Sequence, residues 1–166
     1  DIWKLKAIVG QVELLTLEEE DVEVSLEWPD GVAGAAERHL GNGDTQKAIR
    51  LLEQELDEVT PEWAAAKVHC LVSNGELEEA QLFVQGLGDE PAMGLARAIL
   101  ALQLQDMKAV SQGLEGARDA LQHFVTWQYF MGLRLVIQGR AHQASGIFGR
   151  IVRNKPEHGL ALYRLG

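Results

Sequence analysis

Five histidines, one cysteine and 25 carboxylates are the side chains through which this 166-residue chain could do chemistry. The histidines are His39, His69, His123, His142 and His158. No two of them have the i, i+4 spacing that aims a pair of imidazoles at one metal from a helix. His69 and Cys70 are neighbours, but adjacent side chains on a helix point about 100° apart, which does not suit a shared zinc. Cys70 reads as a small apolar residue packed inside the fold. A reactive thiolate there would need a cation, and only Lys67 is locally placed to supply one. The carboxylates come in runs such as Glu18–Asp21 and Glu76–Glu79. A catalytic pair needs two carboxyls in unlike environments, which a solvated run does not provide. No Gly-x-Gly-x-x-Gly or Gly-Lys-Ser/Thr element offers to cradle a phosphate. Trp3, Trp28, Trp63 and Trp127 do not alternate with bases as nucleic-acid platforms would. The expectation is a protein without catalysis, cofactor or metal.

The bulk properties narrow the class further. Apolar residues make up 46% of the chain, a globular share, and no apolar run approaches the roughly 18 residues of a membrane span. Membrane insertion is therefore not expected. Residue 1 is Asp rather than Met, which leaves open that the chain is a piece of something longer. A single cysteine excludes an intrachain disulfide and fits a reducing, cytoplasmic setting. The net charge of −10 argues against nucleic acid as a partner. That charge is unevenly placed: residues 1–90 hold 21 acids and 6 bases, residues 91–166 hold 4 acids and 9 bases. Solvated helix faces explain such a drift. The functional alternative is a rod whose ends attract opposite charges, in a second copy or a partner.

Positioning elements emerge from an internal repeat. "GNGDTQKAIRLL", "SNGELEEAQLFV" and "IQGRAHQASGIF" share a glycine followed five residues later by alanine: Gly43/Ala48, Gly75/Ala80 and Gly139/Ala144. "LQDMKAVSQGL" keeps the spacing with Gln105 and Val110 in the two places. These landmarks lie 32, 30 and 34 residues apart, and nine residues after each comes Leu52, Val84, Leu114 or Phe148. Each unit reads as an apolar-periodic helix, a turn that relieves the backbone at glycine, and a second amphipathic helix, with Asp44 or Thr45 able to cap the first of these. The alanines let the second helix approach the first closely. Pro29, Pro61 and Pro91 punctuate the junctions between units.

This grammar resembles the tetratricopeptide repeat. The strongest likeness is "WQYFMGLRLVIQGRAHQASGIFGRIVRNKPEH", where Gly132, Leu135, Ala144, Phe148 and Pro156 fit the family pattern. "PEWAAAKVHCLVSNGELEEAQLFVQGL" also fits, apart from Val68 at the small position of its first helix. The resemblance covers roughly residues 29–166 and implies an all-α, right-handed solenoid of stacked helix pairs. Its units would be about 29–60, 61–90, 91–124 and 125–158, with the start of another at 159–166. The order of units also looks like the helical C-terminal part of thioredoxin-like co-chaperones that carry such repeats, although the chain has no Cys-x-x-Cys and no βαβ pattern. Residues 1–28 read as a degenerate N-terminal repeat or cap. Val22, Val24, Leu26 and Trp28 nevertheless alternate as in a strand, and a strand at 22–28 stands as the alternative.

In proteins of this family the first helices line a concave groove, at positions ten, six and three residues before the turn glycine. Carried onto this sequence, those positions are Ala33, Glu37 and Leu40; Ala65, His69 and Val72; Leu95, Ile99 and Leu102; and Tyr129, Leu133 and Val136. The Lys and Asn that some relatives use to hold a carboxylate are absent from these places. The resemblance implies a non-catalytic protein-interaction module of scaffold or co-chaperone type. Its predicted site is Glu37, His69, Leu95, Ile99, Leu102, Tyr129, Leu133 and Val136, facing an apolar segment or amphipathic helix of a protein partner. Two alternatives remain at this point. The same residues could pack on neighbouring helices, or residues 1–28 could fill the groove themselves. A self-associating spacer, joined through the opposite charges of its halves, is the other functional reading.

Overall fold

The computed structural model describes residues 26–28, 31–53 and 58–165. Apart from residues 26–28, the described chain is helix and short connection. The helices are α1 (Val32–Gly41), α2 (Thr45–Leu52), α3 (Pro61–Ser73), α4 (Leu77–Gln85), α5 (Gly94–Gln103), α6 (Met107–Gly116), α7 (Arg118–Leu121), α8 (Val125–Ile137), α9 (Ala141–Asn154) and α10 (Gly159–Leu165). A 3-10 turn, Pro91–Met93, leads into α5. Helices α1 with α2, α3 with α4, α5 with α6 and α8 with α9 form four adjoining pairs.

The same turn closes the first helix of every pair. Gly43, Gly75 and Gly139 stand at φ 82°, 78° and 77°, and Gln105 takes the equivalent place at φ 61°. Each turn carries the double hydrogen bond of a Schellman motif. Gly43 N–H donates to Leu40 C=O while Asp44 N–H donates to His39 C=O at 2.8 Å. Glu76 to Leu71, Asp106 to Ala101 and Arg140 to Leu135 repeat the longer bond at 2.8, 2.9 and 2.8 Å. The second helices then start with varied chemistry. Asp106 accepts from the Ala109 N–H, whereas Asp44 stands at the N-cap of α2 without a side-chain bond. Helix α3 opens on Pro61 with Thr60 accepting from the Trp63 N–H, as the proline punctuation predicts. Pro91 opens the 3-10 turn, and Pro29 lies outside the described residues.

Small residues govern how closely each pair packs. Ala48, Ala80 and Ala144 are buried at 0%, 0% and 1% exposure. In the fourth pair a Cβ on Gly132 would lie 2.6 Å from the Phe148 ring, so glycine is what seats that phenylalanine. The third pair has Val110 where the others have alanine, and its close approach moves elsewhere. A Cβ on Gly113 would stand 2.4 Å from Gly94 O, so α5 and α6 cross almost backbone to backbone.

The pairs do not follow one another identically. Helix α3 lies along both α1 and α5, continuing from pair to pair, but α8 meets the third pair mainly through α6. The turn of α7 falls at this joint. Beyond α9, the turn into α10 reaches back to the first pair, where Gly159 abuts the carbonyl of Gly41. The far end of the array thus touches its beginning.

Residues 26–28, which fall in the segment read as a degenerate repeat or cap, are extended rather than helical, and residues 1–25 lie outside the described part. Glu27 forms an isolated parallel bridge with Phe124.

Gln105 is the only non-glycine residue at positive φ among the described residues. A side chain in that region costs about 1–2 kcal/mol, partly offset by the greater unfolded-state freedom of glycine. Gln105→Gly should therefore raise the unfolding free energy by about 0.5–1 kcal/mol, and Gly139→Gln should lower it by a similar amount, both read from urea melts.

Candidate functional site

The first helices turn toward one another a string of polar and aromatic side chains rather than an empty channel. Glu37 on α1 and His69 on α3 are both buried, with Glu37 Oε2 3.0 Å from His69 Nδ1. The His69 ring meets Phe130 of α8 edge-on, with centroids 5.1 Å apart. Phe130 in turn touches its neighbour Tyr129, which lies 5.5 Å from His158. His158 is also met by Trp28, stacked at 5.4 Å and only 7° from parallel. Units one, two and four thus meet through this string.

The sequence-predicted lining distributes along it as follows. Glu37, His69, Leu95, Ile99, Tyr129 and Leu133 are all buried, as are Ala33, Leu40 and Ala65. Leu102 and Val72 are half-buried, and Val136 alone is exposed, at 41%. The open apolar groove expected at these positions is therefore corrected to a filled inner face. Close approach of α3 to α5 covers Leu95 and Ile99, while the aromatic contacts just described cover His69 and Tyr129.

One covering element is Leu26–Trp28. Leu26 is 3% exposed and belongs to the main apolar core. Glu27 N–H donates to His123 C=O at 2.8 Å, and Val125 N–H donates to Glu27 C=O at 3.2 Å. The Glu27 side chain faces solvent. Alternation of Leu26, Glu27 and Trp28 is thus expressed in full: two apolar side chains inward, one acid outward, and the backbone bridged to the start of α8.

Sequence reasoning did not single out His158, although its place before Gly159 is a visible helix-start signal. Its Nδ1 accepts from the Ala161 N–H at 3.1 Å, capping α10 in the manner of an N-cap side chain. The ring is 3% exposed. Burial pushes its pKa down to about 4, against the opposing pull of the Glu37 carboxylate. The cap and the burial both require the neutral ring.

Elsewhere the chemistry is inert. Burial, reinforced by the charge of Glu37 and opposed by Lys67, drives the Cys70 thiol far upward, so it stays protonated and unreactive. Lys67 lies over the rings of Trp63 and Phe83, at 5.3 and 5.6 Å. Hydrogen bonds from Arg118 hold Glu115 below the usual carboxylate range. Among the described residues no group of three or more His, Cys, Asp or Glu side chains could hold a metal ion, and no helix is long and apolar enough to cross a membrane. A depression of about 430 Å³ beside α4 is lined by Val59, Leu82, Phe83, Gly86, Leu87 and Met93, with no polar side chain.

No protein-family model matches the chain, and no curated protein or solved structure matches it significantly.

Two outcomes are expected from the inner string. Removing one partner of a buried hydrogen-bonded pair that includes a carboxylate leaves the other unsatisfied, at about 3 kcal/mol, whereas apolar replacement of both is far milder. Glu37→Leu and His69→Phe should each lower stability by about 3 kcal/mol, and the double variant should recover more than half of the summed loss in a urea-melt cycle. The second outcome concerns His158, whose folded pKa lies below the ordinary 6.5. Its contribution to stability is complete above pH ~6.5 and is lost as pH falls toward about 4, at up to about 1.4 kcal/mol per unit. His158→Asn keeps a capping acceptor without titrating. The wild type minus variant difference in stability should therefore slope down through that window.

Proposed function

We propose that this chain is a tetratricopeptide-like helical-repeat module, built as a right-handed solenoid, that binds another protein and catalyses nothing. The observation that carries this reading is the seating of Leu26–Trp28. A short segment bridges the start of α8 through its backbone, buries Leu26 in the core and stacks the half-buried Trp28 on His158. That is the geometry by which a folded domain takes up an extended peptide: main-chain bonds supply general affinity and side-chain recesses supply selection. The regular turns at Gly43, Gly75, Gln105 and Gly139 support the repeat reading, since one backbone device recurs at the spacing of the sequence repeat.

The absence of activated groups at the inner face is consistent with binding rather than turnover. The buried Cys70 thiol is held protonated. A scaffold or co-chaperone role fits a surface whose recognition is apolar and aromatic, with charge steering orientation. The acidic first half and basic second half of the chain give such steering a direction.

Val136 is the exposed member of the inner lining, and Leu82, 69% exposed on α4, serves as a control position. A photo-crosslinking side chain placed at 136 should capture a discrete protein from a lysate of the source cells, and the same group at 82 should not. Equal capture from both positions, or none from 136, overturns the reading.

A further inference from the structure

Leu26–Trp28 is held by features that suit a ligand as much as a core element. Its contacts are made with residues far along the chain, at His123–Val125 and His158. It leads to α1 through Gly31, which stands at φ 91° with open space where a Cβ would lie, a backbone state that glycine adopts freely. Among the described residues one residue of the segment is bridged, and two main-chain hydrogen bonds tie it to His123 and to Val125 at the start of α8. The fit is also incomplete. The Trp28 indole N–H is buried and finds no acceptor among the described residues. A buried donor without a partner weakens the hold of the segment that carries it.

We propose that Leu26–Trp28 is a self-ligand, occupying the site that an extended segment of another protein takes when it presents an apolar residue, a solvent-facing spacer and an aromatic residue. This rests on the reading of the inner face as a protein-binding surface and names its partner. The apolar side chain enters the core position of Leu26. The spacer donates its N–H to the His123 carbonyl and accepts from the Val125 N–H, and these bonds make no demand on its side chain. The aromatic ring stacks on His158. Phenylalanine satisfies the last position without burying an indole donor, so a phenylalanine segment displaces the self-ligand more readily than a tryptophan one. An acidic spacer, as in Glu27, suits the positive balance of residues 91–166, with nine bases against four acids. Because the self-ligand is tethered, its effective concentration at the site is high, and a free segment of equal intrinsic affinity binds the wild-type chain weakly.

The test uses the full chain and a fluorescein-labelled peptide of residues 22–30, Val-Glu-Val-Ser-Leu-Glu-Trp-Pro-Asp, followed by anisotropy. Leu26→Ser/Trp28→Ser in the full chain removes both anchors of the self-ligand. That variant should bind the peptide at least tenfold more tightly than wild type does. The peptide with Trp28 replaced by Phe should bind it at least as tightly, and the peptide with both anchors replaced by Ser should not bind. Glu27→Pro in the full chain removes the N–H that meets His123 while keeping both anchors, and should give an intermediate gain. Circular dichroism and a cooperative melt verify folding. Equal affinity for wild type and a folded variant, or no binding to either, overturns the proposal, and unfolding of both variants does so too by making the segment an obligatory part of the core. If crosslinking at 136 captures a partner whose affinity the variants leave unchanged, the inner face still binds proteins and only the self-ligand falls. If neither a partner nor the peptide binds, both fall.

Discussion

A single left-handed residue at the end of each first helix is the constraint on which the arrangement rests. With Gly43, Gly75, Gln105 or Gly139 at positive φ, the chain reverses within a few residues and sends the second helix back along the first. The reversal fixes the register of each pair. Five residues after each turn the chain again lies against the first helix, and the space there admits Ala48, Ala80 or Ala144. Four more residues bring Leu52, Leu114 and Phe148 into the core, although the equivalent Val84 is only half-buried. Burial of these side chains, each contributing on the order of 1.5–3 kcal/mol, holds pairs whose helices are too short to be stable alone.

The third pair shows that the constraint is geometric rather than chemical. Gln105 adopts the same backbone conformation as the glycines and makes the same paired hydrogen bonds, despite its side chain. Val110 replaces alanine, so the tight contact shifts to Gly94 and Gly113, where two backbones meet. What recurs is a close approach of the two helices. It can be set by an alanine just after the turn or by a pair of glycines at the crossing.

This explains why some of the molecule could be read from residue types and some could not. The helical class, the pair boundaries and the turn positions are local properties, expressed in a glycine, an alanine and their spacing. The condition of the inner face is not local. It depends on how far the array curves, and that is decided by contacts between residues distant in sequence: Glu37 with His69, His69 with Phe130, and Gly41 with Gly159. Most positions assigned to a groove from the family resemblance are buried in the interior. His158 escaped notice for the same reason. Its cap on Ala161 is local, but its stacking on Trp28 and its tilted contact with Tyr129 join residues far apart in the sequence.

Under the proposed binding, closure also changes what recognition at this face would require. An open groove offers unpaired apolar surface, and a ligand gains by covering it. Here the surface is covered already, so a ligand gains only the difference between its own contacts and those it replaces. Selectivity then rests on the few places where the resident segment fits imperfectly, such as the buried Trp28 donor, and on whether the incoming chain is already extended. Under the proposed binding, the arrangement would favour partners that match the resident pattern over the generic apolar chains that an open strip of Leu, Ile and Tyr would accept. His158 stands where these demands converge. Neutral, it caps α10 and gives the resident aromatic a flat face, so the integrity of the last helix and the occupancy of the inner surface depend on one ring.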